Sequence, residues 1–166
     1  MEKICNELTV YKYVILIAPA EGVSGDTLLQ ATFSKQTPGD AGFNLPCLRG
    51  LLEHHLVDDY VTSHKIPLGV RVCVRKRQKN GTFADWPWFL TLCSSTAANT
   101  NLRLANAVGI MDGGYRGEVV AIVDNISDSG IALHPGRAYF QMVLPNGTPM
   151  EESYGVKIVL VKHLSE

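Results

Sequence analysis

The chain has 166 residues, 46% hydrophobic and 19% charged, with a net formal charge of -1. That suits one core-bearing domain over residues 1–166 and excludes a disordered tail, whose low hydrophobicity could not offset chain entropy. The near-neutral balance argues against a nucleic-acid binder, and no apolar run reaches the roughly 18–20 residues that span a bilayer.

In chain order, the first strong segment is YKYVILIA (11–18). It is too short for a membrane helix and lacks a basic leader, so it reads as a strand rather than a signal peptide. The expected compartment is therefore the cytoplasm or nucleus, not the secretory route. Cys5, Cys47, Cys73 and Cys93 form no C-x-x-C pair and lie at no zinc spacing from histidine, so reduced thiols are expected. Leu51 to Tyr60 (LLEHHLVDDY) carries Leu52, Leu56 and Tyr60 at four-residue steps, which predicts a short helix. Adjacent His54 and His55 diverge and read as no metal site.

The segments IPLGVRVCV (66–74), WPWFLTLC (86–93), EVVAIVDNI (118–126), RAYFQMVLP (137–145) and VKIVLVKHL (156–164) have strand length and β-branched or aromatic content. Asn80-Gly81, Gly113-Gly114 and Pro135-Gly136 punctuate them as turns, with positive φ expected at the Gly113-Gly114 pair. The N-x-T sequences at Asn80 and Asn146 read as Asn-Gly turns rather than glycosylation sites. The basic run at 75–79 reads as a solvated hairpin tip, Trp86 and Trp88 as packing residues, and Glu118 as an exposed strand residue. The fold expected is all-β and largely antiparallel, a barrel or jelly roll with at most one or two short helices. Its open strand edges invite oligomerisation.

The chemistry concentrates between Cys93 and Asn125. Gly109 to Gly117 (GIMDGGYRG) is a tight hairpin that carries one carboxylate, Asp112, beside an aromatic, Tyr115. Glycines there let a flat ligand approach the backbone, and a carboxylate at the mouth of a turn can deprotonate a water.

This stretch resembles the third motif of the trimeric dUTP nucleotidohydrolases (dUTPases), G-(I/V)-I-D-x-x-Y-R-G. The preceding LRLAN looks like the branch found in protozoan parasites and some viruses. GDAGFNL (39–45) is similar to the family's first motif, A-G-(Y/F)-D-L, and GRAYFQM (136–142) to its fourth, G-x-R-(I/L)-x-Q-L. The resemblance implies a distorted jelly-roll fold, a homotrimer, and hydrolysis of dUTP to dUMP and pyrophosphate. Magnesium would be held mainly through the triphosphate, with no dedicated protein metal ligand. Asp112 takes the place of the catalytic base. Tyr115 takes that of the aromatic under the deoxyribose, which leaves no room for a 2′-hydroxyl. Asn106 matches the asparagine at the uracil edge, and the backbone at Gly109 and Ile110 would pair with the base. Ser95 matches the serine that meets the oxygen bridging the α- and β-phosphates, with Ser94 and Thr96 beside it. Gln141 matches the glutamine near the attacking water. No membrane partner and no stable nucleic-acid binding are implied.

Three departures stand out. The family's P-R-S-S reads here as Cys93-Ser94-Ser95-Thr96, so Ser94 stands where an arginine would grip a phosphate. The aspartate of the first motif is Asn44, uncharged but still able to hydrogen-bond. The glycine-rich fifth motif, R-G-x-G-G-F-G-S-T, is not found before Glu166. These departures keep a second expectation open: a dUTPase-like module that binds nucleotide or protein with impaired turnover. A third expectation, dCTP deamination on the related fold, lacks the glutamate pattern it would need.

Overall fold

The structure, a computed structural model, describes residues 10–30, 37–49, 55–58, 60, 62–134 and 136–164, with residues 55–57 described by their backbone alone. Among these the chain is strand-rich, with two helices of six residues each.

β1 (Tyr13–Pro19) is the hub of the first sheet. It pairs antiparallel with β5 (Val70–Arg77) and parallel with β13 (Val156–Leu160), and β6 (Phe83–Asp85) continues from β5. β1 shows no alternation because both of its faces are covered. Tyr13, Ile15 and Ile17 enter the main core, while Val14, Leu16 and Ala18 enter a second cluster with Cys73 and Leu164. Burial on both faces is what turns a strand into an unbroken apolar run. The parallel β1–β13 pair departs from the antiparallel pattern of every other strand pair described.

The second four-stranded sheet carries the candidate chemistry. Its order is β2 (Gly42–Pro46), β12 (Ala138–Val143), β7 (Trp88–Leu92) and β9 (Gly109–Met111). A bulge in β12 between Ala138 and Phe140 breaks its register with β2. Tyr139 and Phe140 can therefore both be buried, and the strand resumes with Phe140 and Met142 inward. Gln141 then falls on the opposite face, directly across from Asn44. A bulge shifts the strand's phase by one residue, and that shift decides which face a side chain takes.

β4 (His64–Pro67), β10 (Val120–Asn125) and β8 (Leu102–Leu104) form a three-stranded sheet. β3 (His55–Val57) pairs with β11 (Ile131–Leu133), with Leu56 opposite Ala132. This corrects the helix expected over 51–60. Residues 51–54 lie outside the described residues, and 55–57 are extended because they pair with β11. α1 (Gly25–Gln30) packs on β1, and α2 (Ser94–Asn99) follows β7 directly.

The turn readings hold at Asn80-Gly81, where Gly81 has φ +86° and Asn80 Oδ1 accepts from the Thr82 amide and hydroxyl. Asn146 likewise caps its turn, accepting from the Thr148 amide. Gly113-Gly114 is a turn, but neither glycine has positive φ. The need at Gly113 is space: a Cβ there would lie 2.9 Å from Trp86 N and 3.0 Å from Asp85 C. Trp88 is buried and Trp86 packs against the core, with Lys76 Nζ 3.6 Å above the Trp86 ring centroid.

Candidate active site

Three segments far apart in sequence meet at one recess of about 370 Å³. Asp40, Ala41, Gly42 and Asn44 come from β2 and its approach, Cys93, Ser94 and Ser95 from the β7–α2 junction, and Gln141 from β12. β12 lies between β2 and β7, so sheet pairing alone gathers them.

Gln141 Nε2 donates to the Leu92 carbonyl at 3.3 Å, and the amide lies over Gly42. A Cβ at position 42 would come within 2.6 Å of Gln141 Cδ, so only glycine leaves that amide its place. The Cys93 thiol donates to Asn44 Oδ1 at 3.2 Å. Burial pushes that thiol up from 9.0 to about 11, so it stays protonated at neutral pH. Ser94 and Ser95 are exposed. Among the described residues lining the recess none is a lysine or arginine, and Asp40 is a carboxylate.

Thr96 is placed differently from its neighbours. It is buried, and its hydroxyl donates to the Tyr139 carbonyl at 3.0 Å, tying α2 to the bulge of β12.

A second recess, about 270 Å³, is lined by Ile110, Met111, Asp112, Tyr115 and Val120. Asp112 is exposed at its mouth, Ile110 is 70% exposed and Tyr115 43% exposed. The Tyr115 hydroxyl donates to the Glu118 carbonyl at 2.8 Å. Its ring lies against Gly117, where a Cβ would come within 2.6 Å of Cζ. Arg116 Nη1 donates to the carbonyls of Gly113 and Tyr115, and Nη2 pairs with Asp85 at 2.8 Å. The loop is thus held by its own arginine, and Arg75 joins at Asp85 from β5 at 3.2 Å.

Strand register separates the two recesses. β7 pairs antiparallel with β9, Trp88 opposite Met111 and Leu90 opposite Gly109. Asp112 therefore lies beyond the Trp88 end of β7, whereas Ser94 and Ser95 lie beyond the Leu92 end. Four strand steps alone place those ends about 13 Å apart. Asn106, exposed in the turn before β9, sits at the end of β9 away from Asp112. Gly109 is buried against Leu90. Of the sequence candidates, Ser94, Ser95 and Gln141 gather with Asn44, and Ile110, Asp112 and Tyr115 gather separately.

Sequence reasoning did not single out Asp40, Gly42 or Cys93 as lining residues. The signal for Gly42 was its place inside the first motif. Glu118 is no plain exposed strand residue: its carboxylate accepts from Arg49 Nε at 2.8 Å, Arg49 Nη2 at 2.7 Å and the Gly69 amide at 2.7 Å. Among the described residues no group of three His, Cys, Asp or Glu side chains gathers as a metal centre, and no helix is long and apolar enough to cross a membrane.

No protein-family model and no curated protein sequence matches the chain. Solved structures do. The dUTPase of Streptococcus mutans superposes with a TM-score of 0.59 at 20% identity, covering 76% of this chain and 91% of that one. A mutant of the Staphylococcus bacteriophage 80alpha dUTPase, solved with dUpNHpp, gives 0.57 at 14% identity, covering 78% and 80%. The EIAV dUTPase gives 0.49 at 24% identity, covering 78% and 85%. Around its two recesses, this chain has the jelly-roll-like fold of the dUTPases.

Proposed function

We propose that the chain hydrolyses dUTP to dUMP and pyrophosphate at sites shared between copies of itself. The observation that carries this reading is the convergence of Asn44, Ser94, Ser95 and Gln141, from three distant segments, in one polar recess on a dUTPase fold. Ser95 and Gln141 would contact the phosphates there. The hairpin of a second copy would supply Asp112, Tyr115 and the backbone of Gly109 and Ile110, with Asn106 at the base edge. Asp112 would take a proton from the water attacking the α-phosphorus as the bond to the bridging oxygen breaks. Magnesium carried by the triphosphate would offset its charge. A homotrimer suits this arrangement, because Asp112 and Ser95 lie beyond opposite ends of β7 within one chain. Supply of dUMP to the nucleotide pool would place the protein in the cytoplasm or nucleus.

The first test is pyrophosphate release from dUTP with magnesium. Asp112→Asn should lose nearly all of it, and equal rates in the two proteins would end the proposal. The second is complementation between Ser95→Ala and Asp112→Asn, each inactive alone. Equal mixing of subunits should regenerate about a quarter of wild-type sites, since one in four pairs an intact recess with an intact hairpin.

One observation favours a second reading, a nucleotide-binding regulator with little turnover. The recess presents Ser94 where a phosphate-gripping arginine would stand, and among the described residues no cation lines it. Calorimetry with a non-hydrolysable dUTP analogue separates the two. Tight binding without hydrolysis selects the regulator, and efficient hydrolysis removes it.

A further inference from the structure

Glu118 follows the hairpin immediately, and it is the most heavily bonded carboxylate near either recess. Arg49 meets it with two donors, and the Gly69 amide adds a third. The main chain just after it is tied to the same segment: the Leu68 amide donates to the Val119 carbonyl at 2.9 Å, and the Val119 amide to the Val70 carbonyl at 2.8 Å. The peptide carbonyl of Glu118 therefore cannot move without breaking the Arg49 pair or the strand ladder. That carbonyl accepts the Tyr115 hydroxyl. The ring itself rests on Gly117, where no side chain intervenes.

We propose that the Arg49–Glu118 ion pair is a positioning device that immobilises the Tyr115 ring and thereby sets discrimination between 2′-deoxyribonucleotides and ribonucleotides. The proposal rests on the reading of Tyr115 as the floor under the sugar. A floor rejects an extra hydroxyl only if it cannot retreat by the ångström or so that the oxygen needs. An aromatic ring on an exposed loop has such freedom unless its far end is anchored. Here the anchor is the carbonyl of a residue whose carboxylate is held by a side chain 69 residues away in sequence. Arg49 and Glu118 touch no reacting atom in this scheme. They act through Tyr115, so the choice between sugars should respond more than the rate on the preferred one.

The test compares wild type with Arg49→Met, Glu118→Ala and Tyr115→Phe, each assayed on dUTP and UTP and titrated with dUMP and UMP. The two pair variants should lower the preference for the deoxy compound by about tenfold, the effect of one anchoring hydrogen bond, while kcat on dUTP stays within about threefold. Tyr115→Phe should lower the preference by a similar factor. Glu118→Ala combined with Tyr115→Phe should fall no further, because both changes break one chain of contacts. If both pair variants slow dUTP and UTP equally and keep the preference, the pair is only a strut and the proposal fails. A wild type that binds dUMP over UMP without hydrolysing dUTP, with the preference lost in the variants, removes the hydrolase reading and keeps the positioning role. A wild type with no preference in either assay removes both.

Discussion

Gly42→Ala separates the role of Gln141 from its contribution to the fold. The added Cβ would sit 2.6 Å from Gln141 Cδ, closer than real contacts allow. The obstacle is the end of a flexible side chain, so Gln141 yields and the backbone stays. Swinging the amide away forfeits its 3.3 Å bond to the Leu92 carbonyl, worth about 1 kcal/mol, and leaves a rotamer strained by about 0.5–1.5 kcal/mol. Alanine returns about 0.5–1 kcal/mol by restricting the unfolded chain. The net cost is about 1 kcal/mol, a fall in Tm of about 2–4 °C for a chain of this size. Function should suffer far more. Under the proposed function, a Gln141 amide expelled from the recess would lose a hydrogen bond to a charged group, roughly 10- to 150-fold in dUTP turnover or analogue affinity. Thermal melting and pyrophosphate release on the same preparations check both halves. Gln141→Ala should match the loss, and adding Gly42→Ala to it should change little. Full activity at a lowered Tm would show that Gln141 takes no part in the site. A Tm loss beyond about 8 °C would show that the backbone, not the amide, gives way.

The two glycines of the hairpin turn should behave oppositely. Gly113→Ala should lower stability by about 1–3 kcal/mol, because backbone cannot step aside as a side-chain tip can, while Gly114→Ala, with nothing within 4 Å and no positive φ, should raise it by about 0.4–1 kcal/mol in thermal melts. Cys93 gives a pH signature. Its thiol is raised from 9.0 to about 11 in the folded chain, so the unfolded chain releases this proton first and stability is lost between those values as pH rises. The loss is about 2–3 kcal/mol at most, read as the wild-type minus Cys93→Ala difference in denaturant midpoint at about pH 8 and about pH 11. Ser94→Arg should raise affinity for a dUTP analogue about 10- to 150-fold, and no gain by calorimetry would show that position 94 does not face the phosphates.

How far the sequence reveals this molecule depends on the range of the interaction. β1 is legible because burial on both faces leaves an unbroken apolar run. Asn80-Gly81 is legible because a turn of that kind is decided by two residues. Residues 55–57 are misread because four-residue spacing over so short a stretch cannot outweigh pairing with β11, a partner that comes more than 70 residues later. The site divides in the same way. Motif residues name Asp112, Ser95 and Gln141, but nothing local to them announces that Asp112 and Ser95 flank opposite ends of one strand. That follows from the register of β7 on β9, as the inward aim of Gln141's neighbours follows from the bulge in β12. The Arg49–Glu118 contact, between segments 69 residues apart, leaves no pattern in either segment alone.

Charge links these points. A triphosphate approaching the recess meets neutral donors from Asn44, Ser94, Ser95 and Gln141, and a carboxylate at Asp40, whose side chain accepts from the Thr37 amide. Neutral donors orient a phosphate but do little against the repulsion of an anion that is losing water, whereas one guanidinium supplies both charge and two fixed donors. The arginine inside the hairpin cannot help, because Arg116 is committed to the Gly113 and Tyr115 carbonyls and to Asp85. Under the hydrolase reading, the compensating charge comes from outside the described lining of the recess, the metal ion carried by the nucleotide being one source and an interface with another copy a second. Under the regulator reading, the same donors would bind nucleotide tightly and, without that charge on the breaking bond, release it unhydrolysed. The two readings therefore part on the source of positive charge, since the side chains that would orient the phosphates are the same in both.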